Sequence, residues 1–136
     1  MNLPHLFSPT KLGALELANR IVMAPMTRNR AEPDGTPTDL MAEHYGARAQ
    51  AGLIVAEGAW PEVDGQAYCR QPGIATPVHI QGWRRVTDAV HQRGGRIVLQ
   101  IMHSGRIGSR HIKPAGARTV APSAVAARGE MWTDAA

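Results

Sequence analysis

Apolar residues gather in three short runs, each turning polar or glycine-bearing at its C-terminal end: residues 20–30 (RIVMAPMTRNR), 53–60 (LIVAEGAW) and 96–106 (RIVLQIMHSGR). Ile21, Val22, Met23 and Ala24 are consecutively apolar, which suits a strand covered on both faces, predicted over residues 20–24. Pro25 has no amide hydrogen, so regular pairing is expected to stop there. The tip beyond it holds the Thr27 hydroxyl and the charges of Arg28 and Arg30. The second run predicts a strand over residues 53–56 with Glu57, Gly58, Ala59 and Trp60 as its tip. The third predicts a strand over residues 97–102.

Helical patterns separate the runs. Thr38 suits an N-cap, Asp39 stands where the helix dipole favours negative charge, and Leu40, Met41, His44, Tyr45 and Ala49 recur at helical spacing before Gly52. A helix of about fourteen residues is expected there. A second is predicted over residues 78–92, with Ile80, Trp83, Val86, Thr87 and Val90 on its apolar face and Gly94 and Gly95 after it. Upstream, residues 2–20 carry Pro9, Gly13 and the alternation Leu15, Glu16, Leu17, which reads as a small hairpin. Residues 61–77 form a loop long enough to suggest service to a site. Beyond Gly105 the pattern decays into a basic region rich in glycine and proline.

Strand, helix, strand, helix, strand, with near-continuous apolar strands, implies an α/β protein with parallel pairing through right-handed crossovers. In such sheets the active site lies at the C-terminal ends of the strands. No glycine-rich phosphate fingerprint follows the first strand, which disfavours a dinucleotide fold and favours a (β/α)₈ TIM barrel. A complete barrel takes about 250 residues. The 136 residues here are expected to be the N-terminal portion of one barrel domain: a hairpin and about the first three strands with two intervening helices. The outer strand edges then need the remainder of the barrel.

Composition narrows the function classes. Apolar residues make up 43% of the chain, which argues for a folded protein. Cys69 is the single cysteine, so an internal disulfide and a cysteine-based metal site are both ruled out, and a reducing, cytoplasmic setting is expected. No stretch approaches the roughly 18 apolar residues of a membrane span, so no membrane partner is expected. The net charge of +4 is spread from Arg20 to Arg128 without a basic run, and aromatics are only 4%, which argues against nucleic acid.

Taken in order, LFSPTKLGALELANRIVMAPMTRNRA, LIVAEGAW, PGIATP and VHIQGWRRVTDAVHQRGGRIVLQIMHSGR resemble the N-terminal part of the Old Yellow Enzyme family, from Leu6 to Pro122. The resemblance implies an FMN-dependent barrel that takes hydride from NADPH or NADH and passes it to the activated C=C bond of an unsaturated carbonyl or nitro compound. Its implied partners are the C-terminal remainder of the barrel and a small activated alkene, with a homo-oligomer left open. By the same resemblance, Pro25, Met26 and Thr27 run beside the flavin, with the Thr27 hydroxyl near its O4 region. Gly58 lets backbone approach the flavin edge, and Gln100 meets its pyrimidine end. Tyr68 and Met102 belong to the substrate pocket; many relatives carry tryptophan in place of Met102.

A donor at Thr27 makes physical sense, because it stabilises the negative charge that reduction places on the ring. Gln100, set among Ile97, Val98, Leu99, Ile101 and Met102, would be costly if unpaired. His103 and Arg106 match the family's HSGR segment and are expected to pack the strand end. Trp60 and Trp83 are expected in the core, and His44, His79, His91 and His111 on solvated helices or loops. No catalytic residue is assignable within the segment: the family's histidine pair, tyrosine proton donor and phosphate site fall on later strands. Related outcomes are a dienoyl-CoA reductase, a demethylating flavoprotein, or a non-catalytic half-barrel used as an assembly module.

Overall fold

The computed structural model describes residues 3–130 and 133; Asn2, where the predicted hairpin region starts, and the C-terminal Ala136 lie outside them. Strands β1 (Thr10–Leu12) and β2 (Leu15–Leu17) form the hairpin, with Leu12 opposite Leu15 across a two-residue turn. Gly13 takes φ 58° there, which its missing Cβ permits. The main sheet is β3 (Val22–Met23), β4 (Leu53–Ala59) and β5 (Ile97–Ile101), parallel throughout with β4 in the middle. Helix α1 (Asp39–Gly46) connects β3 to β4, and α2 (Pro77–His91) connects β4 to β5. Two successive βαβ units are therefore present, as the three apolar runs imply.

Several boundaries differ from the pattern. Strand β3 pairs over two residues rather than 20–24, while β4 runs on through Glu57 to Ala59. Helix α1 has 8 residues, and residues 47–50 continue as turns. The amides of Arg48 and Ala49 bond three residues back, to the Tyr45 and Gly46 carbonyls, and the chain that follows is tied by Asn19. Its Nδ2 donates to the Gln50 carbonyl at 2.9 Å and its Oδ1 accepts from the Gly52 amide at 2.8 Å and the Ile21 amide at 3.0 Å. One side chain thus joins the segment after α1 to the starts of β3 and β4. Gly52 is not the helix stop; a Cβ there would collide with the Asn19 carbonyl. Thr38 holds the N-cap position, but its hydroxyl donates to the Arg30 carbonyl at 2.8 Å instead of capping.

The core lies between the helices and one face of the sheet: Ala31, Met41, Tyr45, Ala49, Ile54, Ala56, Ala59, Trp83, Val86 and Val90. Ile80 and Leu40, expected in it, are exposed, and Thr87 is only half-buried. On α2 their place is taken by His79 and by Gly82, which lies against Pro37. Ile97 and Leu99 pack against this core, so alternation turns Val98 and Gln100 to the opposite face. That face is open: Val22 and Val98 are 50% and 40% exposed. In a closed barrel this is the interior, filled by layers of branched side chains.

Candidate functional site

The C-terminal ends of β3, β4 and β5 carry three loops that are tied to one another. The backbone amide of Arg28 donates to Glu57 Oε2 at 3.0 Å, and the Ala31 amide donates to the Arg70 carbonyl at 3.2 Å. Arg70 returns a bond from Nε to the Ala31 carbonyl at 3.1 Å. On the other side, Met102 N donates to Ala59 O and Ser104 N to Gly65 O, both at 2.9 Å, and the Ser104 hydroxyl reaches Gln66 O at 2.9 Å. The tip after the first strand is therefore fixed to the second, and the second to the third.

Two buried polar side chains build most of this order, and both sit where the pattern predicted a tip or loop. Gln71, fully buried, accepts from Ala67 N at 2.7 Å and Tyr68 N at 3.3 Å through Oε1, while its Nε2 donates to Gly58 O at 2.7 Å. It fastens the loop bearing Tyr68 to the end of β4. Glu57, also fully buried, lies within β4 where the register with β5 shifts between Ala56 and Gly58. Such a bulge takes an amide out of the ladder. Here the Tyr45 hydroxyl accepts from Glu57 N and donates to Glu57 Oε1, each at 3.0 Å. The sequence signal for Glu57 is a charged residue inside an apolar run, which needs partners if buried. Gln71 gives no comparable signal.

The electrostatics follow from burial. Desolvation raises the Glu57 pKa, opposed by the Arg28 amide, the Tyr45 hydroxyl and the charges of Arg28 and Arg30. Burial and then the Glu57 charge raise the Tyr45 phenol. Burial, then Arg48 and Arg28, lowers His44, whose Nε2 is a buried atom without a partner among the described residues. A cavity of about 190 Å³ borders this cluster, lined by Arg28, Arg30, Leu40, Met41, His44 and Glu57. His79 is not solvated either: it is buried, edge-on to Trp60 with centroids 4.9 Å apart, its Nε2 3.1 Å from the Asp34 carbonyl. A carbonyl only accepts, so Nε2 carries the proton.

Of the residues singled out from the sequence, Gly58 and Gln100 are directly opposed register partners on β4 and β5. Met102 covers Gly58: a Cβ there would lie 3.0 Å from Met102 Cε and 3.1 Å from Sδ. Thr27, half-buried, directly precedes the amide held by Glu57, and Glu57 directly precedes Gly58. Thr27, Gly58 and Gln100 thus come to one end of the sheet, although none lines the 190 Å³ cavity. Among the described residues, the Thr27 hydroxyl and the Gln100 amide have no side-chain hydrogen bond, and Gln100 is exposed on the open face. Met26 is 54% exposed and lines a separate hollow with Phe7, Met23 and Ala51, while Pro25 is half-buried. Tyr68 is 44% exposed on its loop.

Arg106 and His103 hold the chain after β5, as expected. Arg106 donates to Val125 O at 2.8 Å and the Ser123 hydroxyl at 2.9 Å, and His103 Nδ1 accepts from Gly105 N at 2.9 Å. Further along, the buried Lys113 ammonium donates to Asp64 O at 2.6 Å, and Asp64 Oδ1 accepts from the Arg118 amide, also at 2.6 Å. The latter bond is the first cause of a lowered Asp64 pKa. Residues 106–125 are therefore held in place, although they have no periodicity. Trp60 and Trp83 are core residues whose indole N–H groups reach Gln71 O and Gly73 O. Among the described residues no cluster of metal-ligating side chains occurs, and no helix is long and apolar enough to cross a membrane.

Residues 5–133 match the family described as NADH:flavin oxidoreductase / NADH oxidase. A probable flavin mononucleotide-dependent alkene reductase of Leishmania infantum is 42% identical over 124 residues, covering 91% of this chain and 34% of that protein. The rice (Oryza sativa subsp. japonica) 12-oxophytodienoate reductase 1 is 39% identical over 82% of this chain and 29% of its own length. Among solved structures, an old yellow enzyme homologue from Zymomonas mobilis superposes with a TM-score of 0.91 at 41% identity, over 98% of this chain and 37% of that one. Morphinone reductase superposes at 0.87 with 46% identity, over 93% and 33%. The chain spans about a third of the length of these relatives.

Proposed function

Since this chain belongs to the NADH:flavin oxidoreductase / NADH oxidase family, that of the Old Yellow Enzymes, we propose that it forms the first part of a single FMN-binding (β/α)₈ barrel that reduces activated C=C bonds. Bound FMN supplies the redox chemistry, taking hydride from NADPH or NADH and delivering it to the alkene of an unsaturated carbonyl or nitro compound. The segment contributes one side of the flavin site: Thr27 with Pro25 and Met26 from the loop after β3, Gly58 from β4 and Gln100 from β5. The observation that carries this reading is their convergence: Gly58 faces Gln100 in register, and the Arg28 to Glu57 bond brings Thr27 alongside. A planar ring with nitrogen and oxygen atoms at its rim suits the open face. There the Thr27 hydroxyl and Gln100 amide are without side-chain bonds among the described residues.

Each residue has a definable task. The Thr27 hydroxyl donates toward charge that grows on the ring, the lever a protein holds over a flavin's potential. Gln100 offers both a donor and an acceptor to a pyrimidine-like edge. Tyr68, held by Gln71, and Met102, lying over Gly58, shape the substrate side; the flexible Met102 thioether adapts to more than one alkene shape. The remainder of the barrel supplies the proton donor and closes the exposed inner face. A cytoplasmic setting suits a reaction that draws on nicotinamide reductant, and a homo-oligomer is compatible with the barrel.

Combining this chain with the C-terminal two thirds of a barrel from a relative, in the presence of FMN, should yield a yellow complex. Its visible absorbance should bleach with NADPH or NADH and return on addition of an enone. A folded complex that retains no flavin after gel filtration overturns the reading.

A further inference from the structure

We infer that Glu57 is a positioning residue for the flavin reaction: its buried carboxylate fixes the Thr27–Arg28 peptide and so sets the place in the backbone from which the Thr27 hydroxyl is presented. The inference rests on the reading of Thr27 as a flavin contact. It adds a role for a side chain that faces away from that contact. Glu57 Oε2 accepts from Arg28 N at 3.0 Å, and the peptide plane carrying that N–H also contains the Thr27 carbonyl carbon. Holding the N–H direction therefore holds the plane in which Thr27 Cα lies. The next residue but one, Asn29, takes φ 54°, a left-handed conformation few residues adopt, which limits how the Thr27 to Arg28 step can readjust.

The carboxylate is itself held. Tyr45 on α1 donates to Oε1, while accepting from the Glu57 amide that the β4 bulge frees. Glu57 is fully buried and Tyr45 is 1% exposed, so water does not compete for these bonds. Gly58 follows directly and is fixed by Gln71 at its carbonyl. One residue thus sets the Thr27 side of the site relative to the Gly58 side, and it reaches neither through its own contact with the cofactor. Arg28 and Arg30 border the 190 Å³ cavity, and Arg30 donates to the Arg28 and Asn29 carbonyls, which braces the backbone after Thr27.

The test uses the complete FMN-bound barrel containing this segment and reads the midpoint potential of the bound flavin, with its visible spectrum as a check on occupancy. Removing a negative charge near a flavin can by itself only raise its potential. Losing alignment of the Thr27 donor lowers it. E57A is expected to lower the potential, T27A to lower it as well, and E57A/T27A to match T27A alone. E57Q keeps an oxygen for the Arg28 amide and is expected to stay at or above the wild-type value. Where E57A does not fold, Y45F, which leaves Oε1 unheld, takes its place with the same sign and the same silence on the T27A background. A potential that rises or stays unchanged in E57A while T27A lowers it overturns the inference, as does an equal fall on the T27A background. A T27A potential equal to wild type, with flavin bound, removes the Thr27 assignment itself and the inference with it.

Discussion

The Tyr45 hydroxyl and Glu57 exchange two hydrogen bonds in the protein's interior, from Glu57 N to the phenol oxygen and from the phenol to Oε1, each 3.0 Å long. A helix is thereby joined to the bulge of the central strand by a single oxygen atom. Replacing Tyr45 by Phe keeps the ring's packing beside Trp83, 6.5 Å away between centroids, and leaves one buried amide and one carboxylate oxygen unsatisfied. The expected loss is about 1–3 kcal/mol. Denaturant unfolding of the assembled barrel measures it, and a loss below about 0.5 kcal/mol would show that the pair is replaceable by water.

Glu57 also gives stability a pH dependence with a definite sign. Burial raises its folded pKa above the ordinary 4.5. Its contribution is then complete below that ordinary value and is lost as pH rises through the raised folded value, because the unfolded chain ionises more readily. Against E57Q, which does not titrate, the wild type should lose relative stability on going from about pH 4 to about pH 8. Denaturation midpoints of the two proteins across that range test it. A difference that is flat, or that grows in favour of wild type with pH, contradicts the direction.

Gln71 should matter more than a loop residue ordinarily does. Truncation to Ala strands the Gly58 carbonyl and the Ala67 amide in the interior, at about 1–3 kcal/mol. The loss is also local: the amides of Ala67 and Tyr68 should exchange with solvent faster, while those of α2 change little. Hydrogen exchange by mass spectrometry reads both regions in one experiment. Uniform acceleration across the chain would mean that Gln71 supports the whole fold rather than the Tyr68 loop.

Much of this fold can be read from periodicity because its strands are apolar on both faces and its connecting helices are amphipathic. Val22, Ile54 and Val98 announce parallel strands, and Trp83, Val86 and Val90 announce the buried stripe of α2. What periodicity misses is held by side-chain to backbone bonds. Asn19 ties the segment after α1 to the strand starts, Thr38 turns from its cap toward Arg30, and Asp64 with Lys113 pins a region that has no repeat at all. Motif resemblance singles out Gly58 and Gln100, and strand pairing sets them face to face. No such signal picks out Gln71, and the charge of Glu57 inside an apolar run says only that partners are needed, without showing which distant residues supply them.

Gly52 and Gly58 lie six positions apart around β4, and the structure assigns them opposite tolerance to a methyl group. At Gly52 the added Cβ would strike the Asn19 backbone carbonyl, and Asn19 is anchored through three bonds that join β3, β4 and the end of α1. Backbone held in this way does not yield cheaply, so G52A should cost about 1–3 kcal/mol or more. At Gly58 the neighbours all belong to the Met102 side chain, Cε at 3.0 Å and Cβ and Sδ at 3.1 Å. The thioether end can move aside and the Cβ contact needs only a small shift, against which Ala is better than Gly within a strand by about 0.5–1 kcal/mol. G58A should therefore fold with stability within about 1 kcal/mol of wild type. If Gly58 abuts the flavin edge, however, the same methyl should weaken FMN retention in the assembled barrel. Unfolding midpoints and flavin titrations on the two variants separate these effects. The expected outcome is that G52A loses stability and G58A loses FMN affinity without it; full FMN affinity in a stable G58A protein would place the flavin edge away from Gly58.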